Sequence, residues 1–160
     1  MNEKQAKAVR LGIKLLFIIY AATLCYFLFF AGSMGRTYSE RRYHYNLVLF
    51  KEIRRFYIHR DILGNFSVIL NLLGNVVAFL PLGFLYPILS RKMRSFLAMT
   101  FLAFECSLAA ELIQLIFRVG CFDVDDLLLN TVGGAIGYIG YLGVRRWWCH
   151  QNRASKCKKE

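Results

Sequence analysis

Leu11 to Ala31 reads LGIKLLFIIYAATLCYFLFFA, a 21-residue run interrupted by a single charge, Lys14. As a helix rising about 1.5 Å per residue, a run of this length covers about 30 Å of hydrocarbon. It predicts a first transmembrane helix. Basic residues precede it and Ala31, Gly32 and Ser33 offer small residues, so a cleaved signal peptide is the rival reading. The apolar region of such a peptide is usually roughly 7 to 15 residues, shorter than this one.

Three further runs follow. The second, from about Asn71 to Leu89, is uncharged and contains Pro81 and Pro87, which remove backbone donors and predict a kink or break in its far half. The third, about Ser95 to Phe117, carries Glu105 and Glu111; the fourth, Leu127 to Val144, is uncharged. Gly133, Gly137, Gly140 and Gly143 recur along the fourth at spacings of three and four, a stripe that lets another helix approach closely. The fold class expected is therefore all-α integral membrane: one domain over residues 1–160, with four spans at about 11–31, 71–89, 95–117 and 127–144. Composition agrees, since 57% hydrophobic and 19% charged residues are unlike an ordinary soluble globule. Two prolines and the lack of a Gly/Ser linker argue against disorder and against a multi-domain string.

The net charge is +11. On a soluble chain that balance would suggest nucleic acid, but here the basic residues lie between and beyond the apolar runs, a distribution that suits anionic lipid headgroups and topology control. No nucleic-acid partner is expected. Four spans place both termini on one side. That side collects 12 Lys and Arg against 8 on the other, so the positive-inside rule favours cytoplasmic termini in a bacterial cell membrane. Cys25, Cys106, Cys121, Cys149 and Cys157 form no CxxC pair, and neither a disulfide framework nor a zinc site is indicated.

The first outer connection, Gly32 to Leu70, is long enough to need structure of its own. Within residues 46–59, Leu49, Ile53 and Phe56 fall at helical spacing while Lys51, Arg54 and Arg55 point elsewhere on the wheel, predicting a short interfacial or re-entrant helix. Arg41, Arg42, Lys51, Arg54 and Arg55 are the expected headgroup contacts.

Polar residues within the spans are concentrated near one membrane face. Asn71 and Asn75 stand one turn apart at the outer end of the second span. Ser107, Glu111, Gln114 and Arg118 climb the third toward its outer end, and Asp123, Asp125, Asp126 and Asn130 gather at the entry to the fourth. A lone carboxylate or amide in hydrocarbon costs a few kcal/mol, so these groups should face one another or water. The expectation is an outward polar pocket of Asn71, Asn75, Glu111, Gln114, Asp123, Asp125, Asp126 and Asn130. Interhelical glue at about 0.6 to 2 kcal/mol per bond, with an aspartate capping the fourth helix, is the plainer explanation. Glu105 lies about 240° around its helix from Glu111 and is expected to pack in protonated form. His44, His59 and His150 share no spacing and read as surface residues. Phe122 to Asp126, FDVDD, has the clustered hard oxygens that suit a divalent cation, but no second cluster accompanies it and no metal is assigned.

At these residues the chain resembles the VanZ-like family of small bacterial membrane proteins. The segments that carry the likeness are Asn46 to Ile53 (NLVLFKEI), Asn71 to Phe84 (NLLGNVVAFLPLGF), Ser107 to Gln114 (SLAAELIQ) and Phe122 to Gly134 (FDVDDLLLNTVGG). They occur in the family's order across roughly Arg41 to Gly143. The resemblance implies a multi-pass envelope protein associated with reduced susceptibility to teicoplanin-type lipoglycopeptides. Where the family's first motif has Pro before Phe, this chain has Leu49, so the resemblance does not carry over the re-entrant geometry that a fixed φ would impose.

Three functions fit the residues. In the first, the protein binds an envelope lipid or precursor at the outer leaflet, with Glu111, Gln114, Asn75 and Asn130 holding a polar head. In the second, it is an enzyme on a polyprenyl or phospholipid head, with Glu111 or Asp123 as general base and Asp125 and Asp126 holding a divalent cation. In the third it is a subunit, its helix-packing partner meeting Gly133, Gly137 and Gly140. The first is the expectation carried forward; no cofactor is assigned.

Overall fold

A computed structural model describes residues 3–31, 44–51, 54 and 65–157. Its four long helices are α1 (Glu3–Tyr26), α2 (Asn65–Leu89), α3 (Phe96–Phe117) and α4 (Val124–Cys157). Each contains a stretch long and apolar enough to cross a membrane: Lys7–Phe29, Leu72–Leu89, Phe96–Phe117 and Val124–Gln151. The all-α membrane fold expected from the sequence is the fold observed.

The molecule is turned inside out relative to a soluble bundle. Leu97 is 77% exposed and Ile18, Ile19 and Ile116 are also exposed, whereas Ser107, Glu111, Asp125 and Asn130 are buried. Acyl chains solvate the first set, and the second finds partners inside. The apolar core of Phe79, Leu82, Met99, Ala103, Tyr138 and Tyr141 joins α2, α3 and α4. Glycine decides how closely they approach. A Cβ on Gly133 would overlap the Val76 carbonyl oxygen, and one on Gly137 the Leu80 carbonyl oxygen; across the same seam, Gly83 lies against the Gly134 carbonyl. The stripe read from the sequence is therefore filled at Gly133 and Gly137 by α2 of the same chain, while a Cβ on Gly140 would lie 3.5 Å from the Phe84 ring, an ordinary contact.

α1 is the loosest member. It leans on α2 through the Tyr20 hydroxyl, which donates to the Ala78 carbonyl at 2.7 Å, and through the Phe17 and Tyr86 rings, whose centroids are 5.5 Å apart. Its end winds into a π-helical stretch, Phe27–Ala31. The last carbonyls of a helix lack intrahelical partners. Leu28's accepts a bond from the Gln114 amide nitrogen of α3 at 2.7 Å.

Two three-residue strands tie the connections together. β1 (His44–Asn46) pairs in parallel with β2 (Cys121–Asp123), with Asn46 opposite Asp123. α3 stops in a Schellman turn that delivers the chain to β2. Arg118 takes φ 54°, its N–H donates to the Leu115 carbonyl at 3.2 Å, and the Val119 N–H donates to that of Gln114 at 3.0 Å.

Four expectations need correction. α2 runs as one continuous helix through Pro81 and Pro87, because its neighbours hold it on both sides of the missing donors. It also begins at Asn65, ahead of the apolar run. The helix expected over residues 46–59 does not start at Asn46, which ends β1; a turn at Val48 to Phe50 follows, with Phe50 at φ 63°, and the Arg54 N–H donates to the Phe50 carbonyl at 2.9 Å. The remainder of that segment lies outside the described residues. Glu105 is exposed on α3, since the rotation that separates it from inward-facing Glu111 turns it out of the bundle.

Candidate functional site

The polar residues singled out in the sequence meet at the end of the bundle where β1 and β2 pair, and they form two adjoining arrangements. The first is a closed knot. Asp123 accepts the Asn46 amide at 3.1 Å and the Asp125 N–H at 2.8 Å through the same oxygen, Oδ1, and its own N–H donates to Glu111 Oε2 at 3.0 Å. The Phe50 N–H donates to Asp125 Oδ1 at 2.5 Å, and the Val48 N–H to Asn46 Oδ1 at 3.3 Å. The first connection and helix α3 are thereby fastened to the start of α4. Phe50, whose N–H makes this bond to Asp125, takes a left-handed φ of 63°, which turns the chain that follows it.

The knot changes the electrostatics at its centre. Burial pushes the Asp123 carboxyl above its ordinary value; the bonds from the Asp125 N–H and the Asn46 amide oppose this, the Asp125 charge reinforces it and the Lys51 ammonium opposes it. Through one oxygen each, Asp123 and Asp125 fasten the Asn46 amide, the Asp125 N–H and the Phe50 N–H at the start of α4. Among the described residues no three His, Cys, Asp or Glu side chains come together in a metal-binding group.

The second arrangement is a cleft of about 340 Å³. Asn75 of α2, Glu111 and Gln114 of α3, Asp126 and Asn130 of α4, and Phe27 and Leu28 at the π-helical end of α1 line it, with Val119 to Cys121 at its rim. Asn75 donates to Asp126 across the α2–α4 seam. Asn130 is 2% exposed; its Nδ2 donates to the Ser107 hydroxyl at 2.9 Å, and its Oδ1 is buried with no partner. A buried amide oxygen without a donor costs about 1 to 3 kcal/mol, and it belongs to a residue that lines the cleft.

Of the expected pocket residues, the structure brings Asn75, Glu111, Gln114, Asp126 and Asn130 to the cleft and Asp123 and Asp125 to the knot, with Glu111 touching both. The side chain of Asn71 lies outside the described residues. Lys51 and Arg54 are exposed on the same connection; Arg41, Arg42 and Arg55 lie outside the described residues. Gln114 is also glue, since its amide pins α1. Sequence reasoning passed over Asn46 as a site residue, although it opens one of the quoted segments, and passed over the carbonyl of Leu28, for which no side-chain signal exists.

A family model described as VanZ/LLP1 matches residues 17–146. Over 74 residues the chain is 36% identical to Protein VanZ of Enterococcus faecium, a match covering 46% of this chain and 44% of that relative. In that match the chain spans less than half the relative's length. No solved structure matches the chain.

Proposed function

The chain belongs to the VanZ/LLP1 family, and from that premise we propose that this multi-pass membrane protein binds the polar head of an envelope lipid or precursor at the outer leaflet and so lowers susceptibility to teicoplanin-type lipoglycopeptides. The observation that carries the reading is the cleft: three transmembrane helices present Asn75, Glu111, Asp126 and Asn130 to one space, and the Asn130 oxygen there has no donor. An acid within a transmembrane helix that faces such a space is a functional-site hypothesis by default. The cytoplasmic placement of both termini, favoured by the 12 to 8 distribution of Lys and Arg, puts the cleft on the side from which a lipoglycopeptide arrives. Lys51 and Arg54, exposed on the connection above it, attract anionic headgroups at roughly 1 kcal/mol each.

The test is expression in a susceptible host, scored against teicoplanin and vancomycin at matched protein level. Wild type raises the inhibitory concentration of teicoplanin severalfold and that of vancomycin much less, because vancomycin lacks the lipid tail. Asn130→Ala and Glu111→Gln reduce the effect toward that of the empty vector. Variants as protective as wild type remove the cleft from the mechanism, and a chain that protects against neither drug removes the function.

A further inference from the structure

Beside the polar cleft lies a second cavity of about 320 Å³, and Leu28 lines both. It runs between α1 and α3 over a floor of Phe79 and Leu82 from α2. Its cause is local. α1 is pinned at Tyr20 to Ala78 and again where Gln114 holds Leu28. Between the pins, Ala21 and Cys25 on α1 face Cys106, Ala109 and Ala110 on α3, side chains too small to close the distance that the pins set. Its lining is apolar, which keeps water out and leaves the gap open to a hydrocarbon chain.

We propose that the two cavities form one binding site for a single amphiphile: a lipid whose hydrocarbon chain lies in the groove between α1 and α3 and whose head carries hydrogen-bond donors, hydroxyl or ammonium, into the cleft. The inference rests on the lipid-binding reading above and adds the chain groove and the chemistry of the head. A cavity of about 150 Å³ takes a benzene, so about twice that volume takes a chain segment of roughly a dozen carbons. The head follows from the cleft's groups. Glu111, Asp126 and the unpartnered Asn130 oxygen are acceptors, the amide nitrogens of Asn75 and Gln114 already donate to Asp126 and to the Leu28 carbonyl, and no Lys, Arg or His lines the space among the described residues. A bare phosphate would meet like charge there; a sugar hydroxyl or an amine meets acceptors.

The full chain in phosphatidylcholine nanodiscs, doped with lipids carrying a diazirine in one acyl chain, tests this. Three probes share that chain and differ in head: glucosyl diacylglycerol with hydroxyls, phosphatidylethanolamine with an ammonium, and phosphatidylcholine with no donor. The donor-bearing probes crosslink to Ala21, Cys25, Cys106 and Ala109 in preference to the outer faces of the helices, and whichever of the two dominates identifies the donor. Ala109→Phe, which fills the groove from a position already exposed to it, lowers that capture about tenfold; Ala109→Ser keeps it and controls for folding. Asn130→Ala brings the donor-bearing probes down to the level of phosphatidylcholine. Crosslinks spread evenly over the lipid-facing surface and indifferent to Ala109→Phe overturn the groove. Equal capture of all three heads overturns the head assignment. Because drug susceptibility is scored separately, a chain that protects against teicoplanin while its crosslinks spread evenly over the lipid-facing surface sinks this proposal and leaves the function standing.

Discussion

Asp123 sits where three segments of chain meet, accepting from Asn46 and from the Asp125 N–H while its own N–H donates to Glu111. An aspartate in an unfolded chain titrates near about 3.9. In the fold, burial moves this carboxyl upward, so the native state holds the proton more tightly than the unfolded one. The sign follows from linkage: the contribution to stability is complete below the unfolded value and is lost as pH rises through the raised native one. Thermal unfolding in detergent should therefore show wild type gaining on Asp123→Asn as the medium is taken from about pH 7 toward about pH 4, because the amide keeps an acceptor oxygen but has no proton to take up. Asp123→Ala strands two buried donors and should cost about 2 kcal/mol or more at either pH. A gap between wild type and Asp123→Asn that does not move with pH would mean that the carboxyl does not titrate within the fold. The neighbouring acid, Asp125, is 1% exposed and holds the Phe50 N–H. The carboxylates of FDVDD, which in the sequence suggest a divalent cation, accept from two backbone N–H groups, those of Asp125 and Phe50, and from two side-chain amides, those of Asn46 and Asn75.

At the scale of elements, what could be read from the sequence follows how local the signal is. Four spans were legible because about 20 apolar residues in a row state their environment without reference to anything else. The polar faces were legible too, since helical spacing alone puts Ser107 and Glu111 on one side of α3 and turns Glu105 to the other. The pairing of β1 with β2 was not. Three residues carry no periodicity, and a parallel match across 77 positions, Asn46 to Asp123, depends on helices that must pack first. At Pro81 the break, though not the kink, allowed by a strong local rule is overridden by packing against α4. That packing makes its own prediction. Gly133→Ala and Gly137→Ala each drive a methyl into a carbonyl of α2 and should destabilise by roughly 1 to 3 kcal/mol, and the pair should not be additive, because one shift of α2 relieves both. Gly143, with nothing within 4 Å of its Cβ position, should accept alanine with a gain of up to about 1 kcal/mol in helix propensity. Melting temperatures of the three variants in one detergent decide the matter; a loss at Gly143 equal to that at Gly133 would show that helix seams are not what these glycines serve.

Over the whole molecule, the cleft, the knot and the paired strands share one end of the bundle, so the side of the membrane that this end faces fixes which molecules the site can meet. Hydropathy is symmetric with respect to side and leaves that choice to flanking charge. The lining of the cleft was legible as a set of residues but not as a space, because its volume depends on where the pins at Tyr20 and Gln114 hold α1. The chain carries its own reporters of orientation: Cys121 is exposed at the cleft's rim, and Cys149 is exposed near the far end of α4 beside Trp147 and Trp148. In forms keeping one cysteine each, with the others changed to serine, a maleimide too polar to cross the membrane should label Cys121 on intact cells and Cys149 only after permeabilisation. The expectation rests on Arg145 and Arg146, which adjoin Cys149, being retained with the other basic residues on the cytoplasmic side. Cys149 labelled on intact cells and Cys121 protected would invert the bundle and open the cleft to the cytosol. A lipoglycopeptide that works from outside would then never share a leaflet with the bound head, and the proposed function would fail however well the cleft bound lipid.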